Sequence, residues 1–216
     1  MSDLDRPARA LRALPPSCGP VRLIAVDGHA GSGKSTFAAR LAAAVGDDER
    51  GGGAPVLHLD DLAGHEEFFG WTDRILTEVI EPLSNGRTAH FHPYDWNLRR
   101  FGSSPHALEA APVVLIEGVG AGRRVLRPHL AGLLWMERGA EESWQRGRQR
   151  DGSELSAFWD DWTVAETRHF AADPSRPFAD ALIQECRKGY EWRPGPAATA
   201  RPNRFITQGD SFPPAY

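Results

Sequence analysis

The sequence predicts an α/β fold: a five-stranded, mainly parallel sheet with helices on both faces. Three observations predict it. Short apolar runs alternate with helical stretches along most of the chain. Those runs are close to continuously apolar, as strands covered on both faces are, rather than apolar at every second position. A glycine-rich turn also joins the first apolar run directly to the next helix. The length of 216 residues suits one domain with appendages.

The elements follow in order. Residues 1–19 (MSDLDRPARALRALPPSCG) are an N-terminal helical extension, with Leu4, Leu11 and Leu14 near one face and Pro15-Pro16 ending it. The body occupies 20–185. Residues 21–27 (VRLIAVD) read as a buried strand and 34–45 (KSTFAARLAAAV) as an Ala/Leu-rich helix. After a break at Gly51-Gly52-Gly53, residues 55–60 (PVLHLD) form the second strand. Ile75, Val79 and Leu83 recur four apart, which places an amphipathic helix over 71–83. A small strand is expected at 88–93. The polar stretch from Asn97 to Ala111 reads as a long connection of the kind that forms lids or binding segments. Residues 112–117 (PVVLIE), 132–136 (GLLWM) and 179–183 (ADALI) complete the strands, with helices near 140–150 and 153–170. Residues 186–216 are expected to be an irregular, Pro-rich tail, since the last 23 contain five prolines.

Composition narrows the function. Of 25 cations, 23 are Arg and only Lys34 and Lys188 are Lys. The net charge of −4 argues against a general nucleic-acid binder, whose footprint is a basic field. No apolar run is long enough to span a bilayer or to serve as a secretory leader, so no membrane partner and a cytoplasmic location are expected. Cys18 and Cys186 stand far apart and in no metal-binding spacing.

Gly28-His29-Ala30-Gly31-Ser32-Gly33-Lys34-Ser35, followed by Thr36, fits the phosphate-loop pattern G-x-x-x-x-G-K-[ST]. A buried strand precedes it and a helix starts inside it, as the pattern requires. The glycines let successive backbone N–H groups curl inward as an anion nest. The helix N-terminus adds a positive dipole end beneath the phosphates. Lys34 can reach the β- and γ-phosphates, and the Ser35 hydroxyl is a ligand for Mg²⁺. The expectation is a P-loop NTPase fold that binds ATP and Mg²⁺ through residues 28–36.

The loop alone does not choose among nucleotide-using classes. No Asn-Lys-x-Asp occurs, so the guanine-reading element of ordinary GTPases is missing. Asp60 and Asp61 close the second strand, at the sheet edge where ligands bind in such folds. A carboxylate there can take the proton of an attacking hydroxyl; the alternative is a helix cap or a solvated turn.

The segments VDGHAGSGKST, LDD, PYDW, VVLIEGVG, the Arg-rich helix ending in Arg150-Asp151, and ADALI come in a specific order and spacing. Over about residues 21–184 they resemble the uridine kinase family of phosphate-loop small-molecule kinases. The resemblance implies that Asp60 is the catalytic base and that Glu117 holds Mg²⁺ together with Ser35. It implies that Tyr94 and Asp95 belong to a nucleoside site, and that Arg146 and Arg150 are lid arginines which stabilise the transferring phosphoryl. The lid has independent support, because Arg146 and Arg150 share a helix face and guanidinium forks match phosphate oxygens. A solvated basic face paired with Glu141 and Glu142 is the alternative.

The sequence departs from the family in the acceptor region. Where the family has a base-reading histidine after Tyr-Asp, Arg99 stands near that place. The acidic segment after the second strand is altered, which leaves Asp61, Glu66, Glu67 and Asp73 as candidates for acceptor hydroxyls. Phe68, Phe69, Trp71, Tyr94 and Trp96 are either stacking or core residues. The expected partner is a small hydroxyl-bearing acceptor, a uridine- or cytidine-like nucleoside first, with a nicotinamide riboside-like or other small molecule as the alternative. A regulator that binds ATP without a diffusible acceptor is the reading from another class. The sequence leaves an oligomer open.

Overall fold

The computed structural model describes residues 3–46 and 52–198. Along the chain lie α1 (Asp5–Arg12), β1 (Arg22–Asp27), α2 (Lys34–Val45) and β2 (Val56–His58). Next comes one continuous helix: α3 (Thr72–Arg74) widens into a π-helical stretch, Ile75–Ile80, and passes into α4 (Glu81–Ser84). Four short strands follow, β3 (Ala89–Phe91), β4 (Tyr94–Asp95), β5 (Arg100–Phe101) and β6 (His106–Leu108). The chain then runs through β7 (Val113–Glu117), β8 (Leu130–Met136), α5 (Ala140–Asp151), α6 (Ser156–Ala172), β9 (Ala181–Cys186) and β10 (Gly189–Pro194).

The main sheet has the order β10-β9-β8-β1-β7-β2. Its first five strands in sequence are all parallel, and β10 is antiparallel to β9. The expected five-stranded sheet is therefore present and carries a sixth strand. The chain leaves β1 for the edge strand β2, returns to β7, and crosses over β1 to β8. The strand order thus reverses around β1, and a crevice opens at the carboxyl ends of β1, β2 and β7.

Alternate residues of the central strand face opposite layers, as a pleated strand requires. Ile24 and Val26 pack with α1, α2 and β10, whereas Leu23 and Ala25 pack with the helix over 72–84 and with β3 and β6. Both faces are covered, which explains runs of buried apolar residues without polar alternation. The extension docks as a true helix, with Leu4, Ala8, Leu11 and Leu14 buried on the α2 side.

Two expectations are corrected. The tail is not irregular throughout: Cys186 ends β9, and β10 pairs back onto it through Gly189, whose φ of +129° suits glycine. Tyr190 and Trp192 alternate inward and pack on Phe37 at 4.8 and 5.6 Å between ring centres. Residues 199–216 of the predicted tail lie outside the described residues. The stretch from Asn97 to Ala111 is not structureless either, since β5 pairs with β4 and β6 with β3 as small antiparallel ribbons. Strands of two or three residues are too short to show a periodicity in sequence. Among the described residues, no helix is long and apolar enough to cross a membrane.

Candidate active site

The phosphate loop leaves β1 at Asp27, a carboxylate buried under the sheet edge. Asp27 Oδ1 accepts from Gly28 N at 2.7 Å and from Gly120 N at 2.9 Å, and Oδ2 accepts from Gly122 N at 2.8 Å. One side chain thus fastens the start of the loop to the turn that follows β7. Gly28, Gly31 and Gly33 take φ of +146°, +84° and +101°, a region that side chains rarely tolerate. At Gly31 a Cβ would stand 2.0 Å from the Ser143 carbonyl oxygen, so the loop packs directly against α5. Lys34 Nζ donates to the His29 carbonyl oxygen at 2.9 Å. Ser35 and Thr36 are exposed at the start of α2.

Gly31, Gly33, Lys34, Ser35 and Thr36 line a cavity of roughly 270 Å³ together with Arg146, Gly147 and Arg150 of α5. The structure therefore brings the predicted phosphate loop and both predicted lid arginines to one cleft. Each arginine has an acidic partner. Arg146 donates to Glu185 at 2.7 Å, and Arg150 makes a two-pronged contact with Asp151 at 2.6 and 2.9 Å. Arg148, between them, turns away to Asp160.

Directly after β2 the chain makes one 3₁₀ turn, Leu59–Asp61. Asp60 is exposed there, near enough to Lys34 and Arg150 to interact with their charges. The protein around it removes enough solvent to raise its carboxyl to about 6, and the Glu117 charge pushes the same way, while Lys34 pulls against both. Asp61 is raised too, mainly by burial. Glu117 closes β7 and is buried beside β2, where His58 stands opposite it in the strand register. His58 Nδ1 and Glu117 Oε1 lie 2.5 Å apart, and this hydrogen bond raises the histidine above its ordinary value despite partial burial.

Beyond Asp60 lies an aromatic wall. Trp96 Nε1 donates to the Asp60 carbonyl oxygen at 3.1 Å, and Tyr94, His65, Phe68 and Phe158 surround the Trp96 ring. The Tyr94 hydroxyl is hydrogen-bonded to His65 Nδ1 at 3.0 Å. Arg99 sits at the tip of the β4–β5 ribbon with φ +52°. Its charge adds to partial desolvation in lowering the His65 pKa. Asp95 spends Oδ1 on the N–H groups of Asn97 and Leu98, both at 2.9 Å, and so shapes this turn. Asp73 is exposed on α3, its main-chain oxygen accepting from Thr77. Two of the aromatics flagged in sequence have packing roles. Trp71 is buried under the Arg123 guanidinium at 3.6 Å, and Phe69 stacks on His169.

Sequence reasoning gave no role to Asp27, His58 or Glu166. For Asp27 a signal existed, a carboxylate ending a wholly apolar strand one residue before the loop. The others act across chain separations of 59 and 137 residues, which no local pattern reveals.

No protein-family model matches the chain, and no curated protein matches it in sequence. Solved structures do match. One, described as a possible uridine kinase from Bacillus stearothermophilus, superposes with a TM-score of 0.60 at 17% identity, over 83% of this chain and 96% of that one. Another, a candidate fructose transport system kinase from Silicibacter sp. TM1040, gives 0.53 at 21% identity, over 76% and 88%. The chain shares the fold of these proteins, a phosphate-loop α/β fold with a central, mostly parallel sheet.

Proposed function

We propose that the protein is an ATP-dependent kinase that transfers the γ-phosphoryl group to a hydroxyl of a nucleoside in the cytoplasm. The observation that carries this reading is the position of Asp60. Its carboxyl, raised to about 6, lies within reach of the Lys34 and Arg150 charges, and its main-chain oxygen accepts from Trp96 of the aromatic wall. A base tuned near the working pH is the form in which a carboxylate takes a hydroxyl proton efficiently. The flat faces of Trp96, Phe68 and Tyr94 favour an acceptor that carries a planar ring.

In this reading the N–H groups of residues 28–36 and the α2 N-terminus bind the phosphates, and Lys34 offsets their charge. Asp60 accepts the acceptor's hydroxyl proton as its oxygen attacks. Arg146 and Arg150 leave Glu185 and Asp151 in part to meet the charge that develops on the transferring group. α5, packed over the loop, excludes water and limits wasteful hydrolysis. Tyr94 and Arg99 border the acceptor side, with Asp61, Asp73 and Asp95 as further candidates for its hydroxyls.

The donor set also suits Mg²⁺. Ser35 offers a hydroxyl at the head of α2, and Glu117 is a carboxylate at the end of β7. Hard oxygen donors in this number match an ion that keeps waters and phosphate oxygens as its other ligands. When bound, Mg²⁺ supplies charge neutralisation across the β- and γ-phosphates.

Incubation with γ-labelled ATP and a panel of nucleosides, sugars and vitamins tests the proposal. A labelled nucleoside monophosphate is the expected product. Tight ATP binding with no acceptor-dependent transfer would leave the regulator reading in its place, and transfer to a sugar alone would replace the nucleoside.

A further inference from the structure

A buried polar cluster above the phosphate loop is built around Glu166 of α6, which is fully buried. Its Oε1 accepts from the His29 ring at Nδ1, 2.7 Å away, and from Trp144 Nε1 at 3.0 Å. Its Oε2 accepts from Ala30 N at 3.1 Å and from Trp162 Nε1 at 2.9 Å. Four donors fill the acceptor positions of one carboxylate. Burial alone would raise its pKa, yet the His29 hydrogen bond, the Lys34 charge and the Trp162 hydrogen bond hold it below the ordinary glutamate value. Facing an ionised partner, His29 carries its proton on Nδ1.

The donors come from three parts of the chain, the phosphate loop, α5 and α6, so one side chain of α6 joins the loop to the lid helix α5. The His29 ring is further boxed edge-on by Trp135, Trp144 and Phe170 at 5.2 to 6.1 Å. The carbonyl of His29 in turn receives Lys34 Nζ. Contacts therefore run unbroken from the α6 glutamate, through the backbone of His29 and Ala30, to the phosphate-binding lysine.

We infer that Glu166 is a positioning residue for the phosphate loop: carried on α6, it holds the main chain of His29 and Ala30 and thereby the carbonyl that orients Lys34. The inference rests on the reading of this cleft as a nucleotide site. Its physical content is preorganisation. A loop that is competent for only part of the time binds its ligand more weakly in that proportion. In Glu166→Gln one acceptor oxygen becomes an NH₂ group that faces N–H donors, so the loop and the lid lose their common anchor.

Calorimetric titration with ADP, with tryptophan emission followed in parallel, tests this without any acceptor. Glu166→Gln and His29→Ala should each weaken ADP binding about tenfold, the usual scale for one charged hydrogen bond. The double variant should bind no more weakly than the worse single one, because both changes break the same link. His29→Asn, which keeps a side-chain N–H near the carboxylate, should regain most of the affinity. Glu166→Gln should also shift the emission, as Trp144 and Trp162 lose a charged partner. His29 is partly exposed, so its variants carry the test even where Glu166→Gln unfolds. Wild-type affinity in His29→Ala, or losses that add in the double variant, would overturn the positioning role alone. A wild-type chain that binds no ADP would overturn the nucleotide site with it.

Discussion

Asp60 and Glu117 show how neighbouring carboxylates are given different work. Glu117 is stitched to His58 within the sheet, whereas Asp60, within reach of the Lys34 charge, has a carboxyl raised to about 6 by lost solvent and by the Glu117 charge. The sign of the consequence is fixed. The folded chain favours neutral Asp60, so its contribution to stability is present below the unfolded pKa near 4 and lost as pH rises through about 6. Asp60→Asn should therefore raise the thermal unfolding midpoint at pH 7, a measurement that needs no substrate. The proposed reaction runs the other way, because only the ionised form accepts a proton. The rate at limiting acceptor should fall below an apparent pKa near 6 in a pH profile. Glu166 has the opposite linkage. Its lowered pKa contributes stability above the unfolded value that is lost as pH falls through the folded one.

At the scale of elements, α5, the lid helix of the proposed kinase, is held to α6 by close packing. A Cβ at Gly147 would stand 2.2 Å from the Trp159 ring, which donates to Asp151, the partner of Arg150. Gly147→Ala would favour the helix by about 0.5–1 kcal/mol on propensity alone. The displaced indole should nonetheless loosen Asp151 and Arg150 and part the two helices. The expected result is a lower kcat with more ATP hydrolysis in the absence of acceptor, read in a coupled assay. Of these elements, the loop and the run of arginines were legible in the sequence, because a fixed motif and a helical spacing carry them. The Glu166 anchor was not, since its donors are gathered from residues 29, 30, 144 and 162 by tertiary packing. The turn-shaping bonds of Asp95 Oδ1 were not legible either, since the motif shows the residue type and not its backbone partners.

For the molecule as a whole, the sheet explains why a phosphate loop stands where it does. β1 is central, and the reversal of strand order beside it opens the crevice that the loop, Asp60 and Glu117 share. The five parallel strands could be read from their apolar runs. The sixth was masked by glycine and proline, although Tyr190-Glu191-Trp192-Arg193 alternates as an edge strand should. Trp192 is fully buried against Phe37 on the α2 side. Trp192→Ala should cost about 3–5 kcal/mol in urea unfolding, the usual cost of emptying a large aromatic site. The nucleotide affinity of the folded fraction should stay unchanged, since the cleft lies at the carboxyl ends of other strands.

The measurement that bears most directly on the central claim is single-turnover transfer by Asp60→Asn at saturating ATP, beside a titration of its ATP affinity. The account predicts ATP binding close to that of the wild type and acceptor phosphorylation slowed at least ~100-fold, the contribution of a positioned base. Transfer at the wild-type rate would contradict it and remove Asp60 from the chemistry.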